Sequence, residues 1–98
     1  MTDDSRVQAI TAALERELEA HHVEVIDESS RHAGHAGAAG GGGHYRLVVV
    51  SARFVGQSQV EAQRLVYNAL ADMMSTQIHA LSMTTLTPAQ WADRERAT

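Results

Sequence analysis

Tyr45-Arg46-Leu47-Val48-Val49-Val50 is the stretch whose reading decides the fold. It is short, β-branched and nearly continuous in its apolar character. That pattern belongs to a strand buried on both faces, in contrast to the alternation of a strand with one wet side. A strand of that kind needs neighbours in the sheet and cover above and below, so the rest of the chain should supply both.

The preceding residues His22-Val23-Glu24-Val25-Ile26-Asp27 form a second β-branched run, and the two runs predict an antiparallel hairpin. The connection between them is long and ends in Ala36-Gly37-Ala38-Ala39-Gly40-Gly41-Gly42-Gly43. Ordering a glycine run costs much backbone entropy, so residues 30–43 are expected to form a flexible Gly/His-rich loop. Within it His32-Ala33-Gly34 is repeated at once as His35-Ala36-Gly37.

Upstream, Val7, Ile10, Leu14 and Leu18 recur at helical spacing, with Ser5 and Gln8 as a capping box and Asp3 and Asp4 suited to the helix N-terminus. Downstream, Phe54 and Gly56 mark a turn. Ser58-Gln59-Val60-Glu61 then opens a helix expected to run to about Met74, with Ala62, Leu65 or Val66, Ala69, Leu70 and Met73 toward the core. A third strand is expected at Ile78-His79-Ala80-Leu81-Ser82-Met83, placing His79 on the face of Leu81 and Met83. Thr87-Pro88-Ala89-Gln90 caps a short last helix through Trp91. The order αββαβα, with room for an extra helical turn before the long helix, predicts one small α/β (α+β) domain over residues 1–98. Its core would be a three-stranded mixed sheet with helices packed on it.

Composition narrows the function. The 98 residues allow one core, and no apolar run approaches the roughly 20 residues of a membrane span. The acidic N-terminus lacks a signal-peptide pattern, which predicts a cytoplasmic protein. The chain has no cysteine, which removes disulfides, thiolate nucleophiles and cysteine-ligated zinc. No nucleophile elbow, phosphate loop or dinucleotide fingerprint is present, so the chain is expected to bind rather than to catalyse. The net charge is −4 and the arginines are dispersed among twelve acids, which argues against DNA as the default partner.

Six histidines are the chain's metal-binding resource. A lone histidine is more often a hydrogen-bonded structural group than a ligand, and His21 and His22 read as solvated at a helix end. Imidazole is nevertheless the commonest metal ligand. His32 and His35 in the loop, His79 on the third strand and His44 at the start of the second are therefore the candidates.

Taken in order, several segments resemble the BolA-like family. They are Val23-Glu24-Val25-Ile26-Asp27-Glu28-Ser29, His44-Tyr45-Arg46-Leu47-Val48-Val49-Val50-Ser51, Arg53-Phe54-Val55-Gly56, Arg64-Leu65-Val66-Tyr67-Asn68-Ala69-Leu70-Ala71, Ile78-His79-Ala80-Leu81 and Thr87-Pro88-Ala89-Gln90-Trp91. The resemblance covers nearly the whole chain and implies an αββααβα fold similar to class II KH domains. It also implies a heterodimer with a monothiol glutaredoxin that bridges a [2Fe-2S] cluster, glutathione arriving with the glutaredoxin. By the same resemblance His79 supplies one ligand and a histidine of the first inter-strand loop another. Without cysteine the chain is similar to the histidine-loop type. Counted forward from Asp27-Glu28-Ser29 the loop ligand falls at His32; counted back from His44 it falls at His35.

The family's second reading is a nucleic-acid-binding transcriptional regulator, for which Arg53, Gly56 and Arg64 are the candidate contacts. Two departures stand out. Ala62-Gln63-Arg64 replaces the usual Arg-His-Arg, which weakens that reading, and glycines replace the loop's usual proline and acid.

Overall fold

A computed structural model describes residues 2–28, 43–74 and 78–97. It contains α1 (Thr2–Leu18), β1 (His22–Asp27), β2 (Gly43–Val50), a 3-10 turn (Ala52–Phe54), α2 (Gln59–Ala69), α3 (Ala71–Met74), β3 (Ile78–Leu86) and α4 (Pro88–Ala97). The sheet order is β1-β2-β3, with β1 antiparallel and β3 parallel to the central β2. This is the expected mixed three-stranded α+β architecture. No helix among the described residues is long and apolar enough to cross a membrane.

β2 is covered on both faces, as its composition requires. Tyr45, Leu47 and Val49 point into the main core with Ile10, Ala13, Leu14 and Leu18 of α1 and Ala62, Val66 and Leu70 of α2 and its end. Burying side chains of this size contributes about 1.5–3 kcal/mol each. Val48 and Val50 are also buried, on the opposite face. There Trp91 of α4 stacks on His22, with ring centroids 4.4 Å apart, and His22 is the register partner of Val50. α4 therefore crosses that face at the Val50 end and leaves Arg46, farther down, exposed.

Both downstream caps form as expected. Ser58 accepts from the Glu61 N–H at 3.1 Å while the Glu61 carboxylate accepts from the Ser58 N–H at 2.8 Å. Thr87 and Gln90 repeat that exchange at the start of α4, at 3.2 and 2.8 Å. Gly56 carries the turn before α2 at φ 79°, a left-handed conformation that glycine adopts without penalty.

The boundaries differ from expectation at several points. α1 begins at Thr2, so Ser5 lies inside the helix rather than capping it. The segment expected to run unbroken to Met74 divides at Leu70 (φ −105°, ψ 12°). No glycine or proline marks this break. It redirects the chain so that Met73 and Met74 pack on the core just before β3. The extra helical turn is the 3-10 turn at Ala52–Phe54. Gly43 belongs to β2, and β3 extends three residues past Met83 because it pairs with β2 along its whole length.

Ser51 joins these parts. It is fully buried, and its hydroxyl donates to the Leu18 carbonyl at 2.7 Å, closing the C-terminus of α1. The same oxygen accepts from the Arg53 N–H at 3.1 Å and starts the 3-10 turn. Its own N–H donates to the Leu86 carbonyl at 3.0 Å, extending the β2–β3 ladder. Ser51→Ala strands a buried carbonyl and removes a cap, so urea unfolding should show a loss of about 1–3 kcal/mol. An unchanged midpoint would show that these bonds contribute nothing net.

Candidate functional site

The strand ends that flank the candidate ligands in sequence lie at one end of the sheet, opposite the end covered by α4. β1 runs out at Asp27, the chain returns at Gly43, and β3 starts beside it at Ile78. The Glu28 N–H donates to the His44 carbonyl at 2.8 Å, so the hairpin ladder continues to the mouth of the connection. His32 and His35, and the flexibility expected of their loop, lie outside the described residues. Their segment nevertheless leaves the sheet at Glu28 and re-enters it at Gly43.

His79 occupies a special backbone position. Gly43 pairs with Ile78 and His44 with Ala80, so His79 is the extra residue of a bulge in β3. Bulges break the two-residue alternation and re-aim the chain. The neighbours show this: Ile78 and Leu81 both pack on the main core, although an odd spacing of three would put them on opposite faces of a regular strand. The expectation that His79 shares a face with Leu81 and Met83 rested on unbroken alternation, and the bulge removes that basis.

His44 is half-buried on the central strand and lines a shallow cleft of about 160 Å³ with Glu28, Tyr45, Ala80, Leu81 and Ser82. Glu28, mostly buried, pairs with Arg46 at 3.2 Å and ties the end of β1 to β2. Gly43 is required by its surroundings. A Cβ there would sit 2.5 Å from Tyr45 Cε2 and 2.7 Å from its Oη, and the Tyr45 ring is itself buried. Among the described residues no group of three His, Asp or Glu side chains is placed to hold a metal ion.

The residues singled out for nucleic acid do not converge. Arg53 pairs with Glu19 at 3.1 Å and lines a cleft with Glu17, Leu65 and Asn68. Gly56 lines a different cleft, among Ser58, Gln59, Thr85 and Gln90, with no cation among its lining residues. Arg64 is exposed on α2.

Sequence reasoning missed the His22–Trp91 stack. His22 is not a solvated helix-end residue: it begins β1, stacks on Trp91, and its Nε2 lies 2.9 Å from Glu24 Oε2. Only long-range topology brings the two rings together, so no local signal could have found the pair. The bulge at His79 was equally hidden, because it is a property of the register between two strands.

The profile of the BolA-like protein family matches residues 14–90. BolA-like protein 1 of Mus musculus is 42% identical over 85 residues, which are 87% of this chain and 60% of that protein. The DNA-binding transcriptional regulator BolA of Escherichia coli K12 is 41% identical over 69 residues, 70% of this chain and 63% of that protein. The chain thus spans less than two thirds of the length of either relative. Among solved structures, the BolA domain of SufE1 from Arabidopsis thaliana superposes with a TM-score of 0.75 at 42% identity, covering 87% of this chain and 94% of that one.

Gly43→Ala should cost about 1–3 kcal/mol through forced movement of the Tyr45 ring. Amide shifts should concentrate at His44 and Ala80 in a ¹H–¹⁵N spectrum. A variant with unaltered melting and spectrum would show that the ring does not pack there.

Proposed function

This chain belongs to the BolA-like family, and we propose that it is a non-enzymatic partner of a monothiol glutaredoxin, sharing a [2Fe-2S] cluster with it. The observation that carries this reading is the placement of His79. It sits in a bulge directly after the residue paired with Gly43, where the loop bearing His32 and His35 re-enters the sheet. The strand ends that flank the His32/His35 segment and the strand that holds His79, far apart in sequence, thus lie at one end of the sheet, with His44 beside them.

The donor chemistry fits. A [2Fe-2S] cluster accepts histidine in place of cysteine, and imidazole ligation raises its potential. His79 and either His32 or His35 would hold it from this side. With no cysteine in the chain, the thiolates would come from the glutaredoxin and its glutathione. Roles in cluster trafficking, iron homeostasis or stress regulation in the cytoplasm are consistent with such a partner.

The test is co-purification with a monothiol glutaredoxin, followed by iron and sulfide analysis and a visible spectrum. The complex should carry iron and sulfide in equal amounts. His79→Ala and the double variant His32→Ala/His35→Ala should each alter the spectrum and lower iron retention at least several-fold. Unchanged spectra in both would overturn the ligand assignment, and failure to co-purify would overturn the partnership.

A second reading is favoured by the name of the Escherichia coli relative, a DNA-binding transcriptional regulator. On this chain it would rest on the KH-like fold and on Arg53, Gly56 and Arg64. These residues are dispersed and the net charge is −4, so binding should be weak and steeply salt-dependent. Gel shifts at two salt concentrations decide it; no retardation at micromolar protein removes the reading.

A further inference from the structure

The two edges of the sheet are protected very differently. β1 is one edge, and in six residues it carries the two acids Glu24 and Asp27. Charges of this kind keep an edge strand from pairing with a foreign strand. β3 is the other edge. Its nine residues Ile-His-Ala-Leu-Ser-Met-Thr-Thr-Leu include no acid, no arginine and no proline. Its one irregularity, the bulge at His79, lies at the very start and leaves Ala80 to Leu86 regular.

The direction of the free backbone groups follows from the ladder. Leu86 accepts from the Ser51 N–H, so it faces β2, and the even-numbered residues of β3 do the same. The N–H and C=O groups of Leu81, Met83 and Thr85 therefore point away from the sheet. Among the described residues nothing pairs with Leu81 or Met83 on that side. α4 leaves β3 toward His22 on β1 and does not cover this edge.

We infer that β3 pairs with β3 of a second copy of this chain, antiparallel across a twofold axis at Ser82, giving a continuous six-stranded sheet. The strand is complementary to itself in that register. Leu81 of one copy lies opposite Met83 of the other, and each such pair exchanges two N–H···O bonds. Both side chains are only partly buried in the single chain, on its core face, so an apolar pair would form at each crossing. On the other face Ser82 meets Ser82 and Ala80 meets Thr84, small uncharged groups throughout. An isologous contact of this kind closes at two copies and leaves no further β3 edge to propagate. The charged β1 edges would form the outer rims. The inference rests on the sheet edge and is independent of any cluster.

The absence of native cysteine gives a clean test. On the axis, Ser82 forms a non-hydrogen-bonded pair with Cα atoms about 4.5 Å apart, within disulfide reach. Ser82→Cys treated with diamide should become a covalent dimer quantitatively, whereas Ala92→Cys on the exposed side of α4 should not. Sedimentation of the unmodified chain from micromolar to millimolar concentration should approach twice the monomer mass. Ser82→Lys sets like charges opposite each other and should sediment as a monomer with unchanged circular dichroism. A monomeric mass at every concentration, or cross-linking of Ser82→Cys no faster than that of Ala92→Cys, overturns the inference.

Discussion

The need to bury both faces of β2 governs this structure. A strand reading Leu-Val-Val-Val is stable only with an apolar layer on each side and a hydrogen-bonded neighbour at each edge. α1 and α2 supply one layer, α4 the other, and β1 and β3 the neighbours. The parallel pairing of β2 with β3 follows from the same requirement. The chain must travel the length of the sheet before β3 can begin, and α2 makes that journey while covering the core face.

Ser51 shows how few polar groups hold such an arrangement in register. One hydroxyl closes α1 and opens the 3-10 turn, and the backbone of the same residue extends the parallel ladder. A buried polar atom with these partners costs little, and an apolar residue in its place would leave the Leu18 carbonyl stranded. Leu18 and Ser51 are far apart in sequence, so this contact ties the end of α1 to the end of β2. The ion pair between Glu19 and Arg53 lies just outside it and is exposed, which makes it a minor contributor.

The opposite end of the sheet is where the three strands' other termini meet. β1 ends there at Asp27, β2 begins there at Gly43, and β3 starts beside it with a bulge. Gly43 belongs to this end because the Tyr45 ring occupies the space a side chain would need. The packing of Tyr45 therefore fixes where Gly43 enters the sheet, opposite Ile78 and next to the bulge at His79. Imidazole as the candidate donor type was legible in the sequence, and the family resemblance pointed to His79, His32 and His35 as the proposed ligands. The side-by-side starts of β2 and β3 were not legible there, because they depend on a crossover that only the folded chain makes.

By itself the sequence determined the elements and their chemistry. Period-2 and period-3.6 patterns, two capping boxes and one glycine turn are local properties, each written in a handful of adjacent residues. They predicted β1 at its observed bounds, both downstream helix starts and the turn at Gly56. Absence of cysteine was equally plain, and it restricted any metal chemistry to imidazole and carboxylate. Tertiary structure alone decided the break at Leu70, the bulge at His79, the stack of Trp91 on His22 and the contrast between a charged and an uncharged sheet edge. Each of these depends on which residue lies opposite which. That pairing emerges only when strands and helices distant in sequence compete for the same buried surface.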